Sequence, residues 1–146
     1  MVALRDFLLP KASIVTPNIY EAEIFGGLDI NDINDMQLAA EKIYNLGVKT
    51  VLVKGGALKN NFRGADVWFD GERFEILRTA TIETNNTHGT GCTLSAAIVA
   101  NLAQGKDLFS AVKLAKDYVT NALKYALKIG HGQGPVAHFF PLLLNI

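Results

Sequence analysis

The chain has 146 residues, 49% hydrophobic and 19% charged, an ordinary composition for one soluble globular domain with a core of its own. Fourteen basic residues balance fourteen acidic ones without a basic run, which argues against nucleic acid as a partner, and no apolar stretch approaches the roughly 20 residues that a membrane-spanning helix needs. Met1 is followed by Arg5 and Asp6 rather than a signal-peptide core, so the cytoplasm is the expected compartment, and the single cysteine excludes an internal disulfide or a cysteine-based metal cluster.

In chain order, Val2 to Leu9 reads as a short amphipathic helix and Ala12 to Thr16 as a compact strand stopped by Pro17. Asn18 to Phe25 is predicted helical and closed by Gly26-Gly27. A second helix is expected from Asp32 to Leu46, with Ile33, Met36, Ala39, Ala40, Ile43 and Leu46 at helical spacing. Val48 to Val53 follows as a strand without polar alternation, the pattern of a strand covered on both faces. Strand, helices and strand together read as a βαβ unit.

Asp66 to Phe69 and Arg73 to Leu77 flank Asp70-Gly71, a strong hairpin signal. A polar loop from about Thr81 to His88 leads into Gly91 to Ala103, which is apolar on nearly every side and is expected to be a buried helix. The last long helix, Asp107 to Ile129, is expected to bury Leu108, Val112, Ala115, Val119, Ala122 and Ala126 and to show Lys113, Lys116, Lys124 and Lys128 to water. Gly130 to Pro135 reads as loop, and no repeat or interdomain linker interrupts residues 1–146.

Three stretches could carry chemistry. In Gly89-Thr90-Gly91-Cys92 the glycines allow a tight turn, and the helix that begins there points unpaired N–H groups outward. Helix starts favour phosphate and the thiolate form of a cysteine. The same residues also read as an ordinary turn followed by a small core cysteine. Asn18 and Glu21, three apart at a helix start, could organise a hydrated magnesium ion or form a capping box, the cap being favoured on spacing alone. Lys54-Gly55-Gly56 ends a strand where open α/β sheets place ligands, so Lys54 could reach a phosphate or simply mark where the strand leaves the core. His88 could touch phosphate oxygens, whereas His131 and His138 are too scattered for a metal site.

Thr16-Pro17-Asn18-Ile19-Tyr20-Glu21, Lys54-Gly55-Gly56, Asn86-Thr87-His88-Gly89-Thr90-Gly91-Cys92-Thr93-Leu94-Ser95 and Gly130-His131-Gly132-Gln133-Gly134-Pro135-Val136 occur here in one order. In that order they resemble the hydroxymethylpyrimidine/phosphomethylpyrimidine kinases of thiamine biosynthesis, in the ribokinase-like superfamily. The resemblance implies a three-layer α/β/α fold, present here as the C-terminal half of the central sheet with flanking helices and a β-hairpin. It implies ATP and magnesium as cofactors, with 4-amino-5-hydroxymethyl-2-methylpyrimidine and its monophosphate as small-molecule substrates.

On that resemblance, Gly89, Thr90 and Gly91 would form the anion hole for the transferring phosphoryl group, and Cys92 would be the general base on the substrate hydroxyl. Asn18 and Glu21 would organise magnesium, and Lys54, Thr87 and His88 would contact the nucleotide phosphates. Relatives are longer, and their N-terminal half supplies a glycine-rich segment and most pyrimidine contacts. The strand Ala12 to Thr16 would pair with that half, so association with another copy of the chain, as a homo-oligomer, is expected. A pyridoxal kinase and a non-catalytic nucleotide-binding remnant are the alternatives. A cysteine hydrolase is disfavoured because Cys92 and His88 lack an orienting third group.

Overall fold

The computed structural model describes residues 2–56, 58 and 62–144, which divide into two compact units, one ending at Arg78 and the other starting at Thr79.

The first unit opens with a π-helical turn over Leu4–Leu8 and a 3-10 turn over Leu9–Lys11 where a short amphipathic helix is expected. Helix α1 spans Ile19–Gly26 and closes on Gly27, whose φ of 64° is the left-handed conformation that glycine adopts at no steric cost. Helix α2 spans Ile33–Tyr44, and its N-cap Asp32 accepts from the backbone N–H groups of Asn34 and Asp35 at 2.8 and 3.0 Å. Met36, Ala39, Ala40 and Ile43, spaced as predicted, are fully buried.

Strand β1 is Val51–Lys54, later and shorter than expected. It pairs antiparallel with β2, Asp66–Phe69, which pairs antiparallel with β3, Phe74–Leu77. Val51, Val53, Val67 and Phe69 share one sheet face and pack with α2, while Leu52 and Trp68, paired across the strands, point the other way and are also buried. The hairpin turn is organised by Asp70, whose Oδ1 accepts from the N–H groups of Glu72 and Arg73 at 3.1 and 3.0 Å. On the other side of β1 the chain around Val15 runs parallel, bridging Val15 to Val51 and Asn18 to Lys54. The expected βαβ unit is therefore present, although its first strand is a bridged extended segment rather than a full strand.

The second unit holds helix α3, Thr90–Ala103, helix α4, Leu108–Lys124, and the short helix α5, Phe140–Leu143. Three expectations fail here. Helix α3 is not buried all round: Thr93, Leu94 and Ile98 are covered, while Cys92, Ala96, Val99 and Ala100 are exposed, Val99 by 64%. An apolar composition marks a helix that can be covered; it does not supply the covering. Lys116, expected at the surface, is buried, because it shares the face of Val112 and Ala115 one turn along.

Helix α4 also stops short of Ile129. The N–H of Ala137 takes the carbonyl of Ala122 at 2.9 Å, so Ala126 turns to Leu123 instead and the α ladder ends. Val136, Ala137, Phe140 and Ala122 form a small core that fastens the segment 134–138, hereafter the strap, onto α4.

Candidate functional site

In the first unit, Asn18, Glu21 and Lys54 lie where the extended segment around Val15 and strand β1, bridged in parallel, come to their C-terminal ends. The N–H of Lys54 donates to the carbonyl of Pro17 at 2.9 Å, placing Lys54 beside Asn18. Asn18 Oδ1 accepts from the N–H of Glu21 at 2.9 Å, and Glu21 Oε2 accepts from the N–H of Asn18 at 2.8 Å, a complete capping box. The box leaves Glu21 Oε1 without a hydrogen-bond partner among the described residues. One exposed carboxylate oxygen fits the needs of a hydrated magnesium ion, which takes one or two carboxylates and keeps several waters. No group of three or more His, Cys, Asp or Glu side chains forms a metal cage among the described residues.

The loop after Lys54 is fixed by close approach. A Cβ at Gly55 would collide with the carbonyl oxygen of Ala65, and the Gly55 N–H donates to Oδ1 of the buried Asp66 at 3.0 Å. Asp66 lies directly opposite Lys54 in the antiparallel register, so the half-buried lysine has a carboxylate as its cross-strand neighbour. Asp66 escaped sequence reasoning; in retrospect, an acidic residue opening an otherwise apolar strand was the available signal.

In the second unit α3 opens on a tight glycine turn. Gly89 is the N-cap at φ 90°, and no Cβ-bearing residue enters that conformation without strain. The Gly89 carbonyl accepts from the N–H of Thr93 at 2.9 Å and from Thr93 Oγ1 at 2.7 Å. Thr90 folds back on Thr87: its hydroxyl and its N–H both donate to the Thr87 carbonyl, at 3.1 and 3.3 Å. The N–H groups of Gly91 and Cys92 have no acceptor among the described residues. Of the turn's backbone donors the Thr90 N–H is spent on Thr87, whereas those of Gly89, Gly91 and Cys92 are open among the described residues.

Cys92 is a free, exposed thiol at this spot, not a core cysteine. It lines an open groove of about 920 Å³ with Thr93, Ala96, Leu114, Tyr118 and His138. The preceding loop is held by the strap: His88 N–H donates to the Gly134 carbonyl at 3.1 Å and Val136 N–H to the His88 carbonyl at 3.2 Å. A Cβ at Gly134 would run into the side chain of Asn86, which would have to shift. The His88 side chain is exposed on the groove wall.

A βαβ unit with a lysine at its strand end, followed by a glycine turn at a helix start, is the order of elements of an incomplete ribokinase-like α/β fold. The chain belongs to the phosphomethylpyrimidine kinase family, which it matches over residues 1–137. It is 51% identical over 142 residues to a hydroxymethylpyrimidine/phosphomethylpyrimidine kinase of Synechococcus elongatus, covering 97% of this chain and 54% of that protein. Among solved structures it resembles an ADP complex of Bacillus subtilis pyridoxal kinase, with a TM-score of 0.89 and 41% identity over 94% of this chain and 52% of that one. It also resembles phosphomethylpyrimidine kinase from Clostridium difficile, with a TM-score of 0.68 and 38% identity over 82% of this chain and 47% of that one. The chain thus spans about half the length of the relatives it matches.

Proposed function

We propose that this chain is the nucleotide-binding portion of an ATP- and magnesium-dependent kinase that phosphorylates hydroxymethylpyrimidine and its monophosphate. The observation that carries the reading is the exposed Cys92 thiol set beside the open N–H groups of Gly91 and Cys92. Phosphoryl transfer asks for positioning and charge stabilisation rather than elaborate covalent chemistry. Gly91 and Cys92 N–H groups hold the equatorial oxygens of the transferring group, helped by the positive end of α3. Cys92 Sγ, as thiolate, takes the proton of the substrate hydroxyl while that oxygen bonds to the γ-phosphorus and the bond to ADP breaks. In the first unit Lys54 would offset phosphate charge; in the second, Thr87 and His88 lie on the loop that leads into the glycine turn. In the first unit Asn18 and Glu21 would hold magnesium, Glu21 Oε1 being the oxygen left open by the cap, and the ion when bound would supply charge neutralisation.

A pyridoxal-type substrate is the second reading, favoured by the TM-score of 0.89 to a pyridoxal kinase. The 51% identity to a pyrimidine kinase over 142 residues weighs the other way. Turnover of hydroxymethylpyrimidine and of pyridoxal by the full-length enzyme, compared as kcat/KM, separates them. Preference for pyridoxal by about tenfold or more, a difference of roughly 1.4 kcal/mol in transition-state binding, would replace the first reading with the second.

A further inference from the structure

The strap ends in His138, an exposed residue whose ring nitrogen Nε2 lies 2.8 Å from Oγ1 of Thr93. Thr93 is buried, and its hydroxyl carries one hydrogen. The Gly89 carbonyl sits 2.7 Å from the same Oγ1 and can only accept. Two oxygens at that distance need the hydrogen between them, so the hydroxyl donates to Gly89. His138 must then donate to Thr93, which fixes a proton on Nε2.

The result is a directed chain from His138 through the Thr93 hydroxyl to the Gly89 carbonyl. Donation into Oγ1 strengthens the hydroxyl as a donor in turn. It also holds Thr93 in the rotamer that, together with its own N–H, pins the Gly89 carbonyl. That carbonyl shares its peptide plane with the Thr90 N–H, and the Gly91 and Cys92 N–H groups follow directly along the chain, so pinning it steadies the turn that carries them. The far end of the chain is anchored as well: Tyr118 Oη donates to the His138 carbonyl at 2.7 Å, and Val136 and Ala137 are buried beside it.

We propose that His138 is a positioning residue for the phosphate-binding turn, acting through Thr93 and Gly89. The inference rests on the nucleotide-site reading above and assigns that site a remote support.

The test uses the ¹⁵N-labelled chain, with imidazole shifts to read the His138 tautomer and amide shifts of Gly91 and Cys92 to follow titration with magnesium-ATP. His138→Phe keeps ring bulk and removes the donor; His138→Gln puts an amide N–H where Nε2 was. The neutral parent should carry its proton on Nε2. His138→Phe should weaken ATP binding by about threefold to tenfold, the worth of one typical hydrogen bond, at an unchanged circular dichroism spectrum. His138→Gln should restore most of the loss, and in a Thr93→Val background the two variants should bind alike. A proton on Nδ1, or parent-like binding by His138→Phe, overturns the proposal while leaving the nucleotide site standing. A parent whose Gly91 and Cys92 amides ignore ATP overturns the site reading and the role of His138 with it.

Discussion

Substituting alanine for Gly89 separates the turn's stability from its function. Gly89 sits at φ 90°, yet a Cβ there would meet nothing closer than Val136 Cγ2 at 3.9 Å, so the cost is conformational and not a collision. A left-handed non-glycine residue costs about 1–2 kcal/mol. Relief of that strain requires φ to turn negative, which rotates the following peptides and the Gly91 and Cys92 N–H groups away from their common target. Each charge-assisted hydrogen bond to phosphate is worth about 1.5–3 kcal/mol, so losing even one costs more than tenfold in affinity. Gly105, at the opposite end of α3, is the control: its φ is 81° and a Cβ there would meet nothing within 4 Å. Gly89→Ala and Gly105→Ala should therefore lower thermal stability comparably, by several degrees for a domain of this size. Calorimetric titration with magnesium-ATP should show the loss of affinity only for Gly89→Ala. Equal affinities for the two variants would refute the assignment of this turn to phosphate.

Glu21→Gln retains a side-chain acceptor for the Asn18 N–H and with it the capping box. In the full-length enzyme it should leave the melting temperature nearly unchanged while raising the half-saturating magnesium concentration about tenfold or more; a parallel loss of stability and activity would mean that the cap is its whole role. Asp107, the N-cap of α4, is held below the usual carboxylate value of 3.8 by hydrogen bonds from Ser110, side chain first and then backbone. A depressed folded-state value stabilises the fold above 3.8 and loses that contribution as pH falls through the lower value. Asp107→Asn should flatten this part of the acid-unfolding profile, and an unchanged profile would count against the linkage. The purified chain alone should not turn over hydroxymethylpyrimidine and should sediment as a dimer or larger species, since Val2, Phe7, Leu8 and Val99 are all more than half exposed; a monomer with normal turnover would contradict this.

Local patterning carried much of the fold. The spacing of Met36, Ala39, Ala40 and Ile43 gave α2 its buried face, and Asp70-Gly71 gave the hairpin, because both depend on residues close in sequence. The parallel pairing of the Val15 region with β1 followed from the strand-helix-strand order. What escaped was set by distant partners. Ala137, fifteen residues beyond Ala122, ends α4 by taking its carbonyl, and no periodicity within the helix announces that. The exposed face of α3 escaped for the same reason.

At the site, the Gly-Thr-Gly-Cys wording marked the turn, but spacing could not say that Thr90 spends its hydroxyl on Thr87. Spacing favoured the cap at Asn18 and Glu21, which is present, but could not show that it leaves one carboxylate oxygen open. His138 looked isolated in sequence because its partner, Thr93, lies 45 residues away.

The central claim is that the Cys92 thiol is the general base of a phosphoryl transfer. It is tested most directly by single-turnover kinetics of hydroxymethylpyrimidine phosphorylation in the full-length enzyme and its Cys92→Ala variant, at saturating magnesium-ATP. The account predicts a fall in the chemical rate of about 10²-fold or more, the usual contribution of a general base, with ATP affinity preserved. A rate within a few-fold of the parent would contradict it.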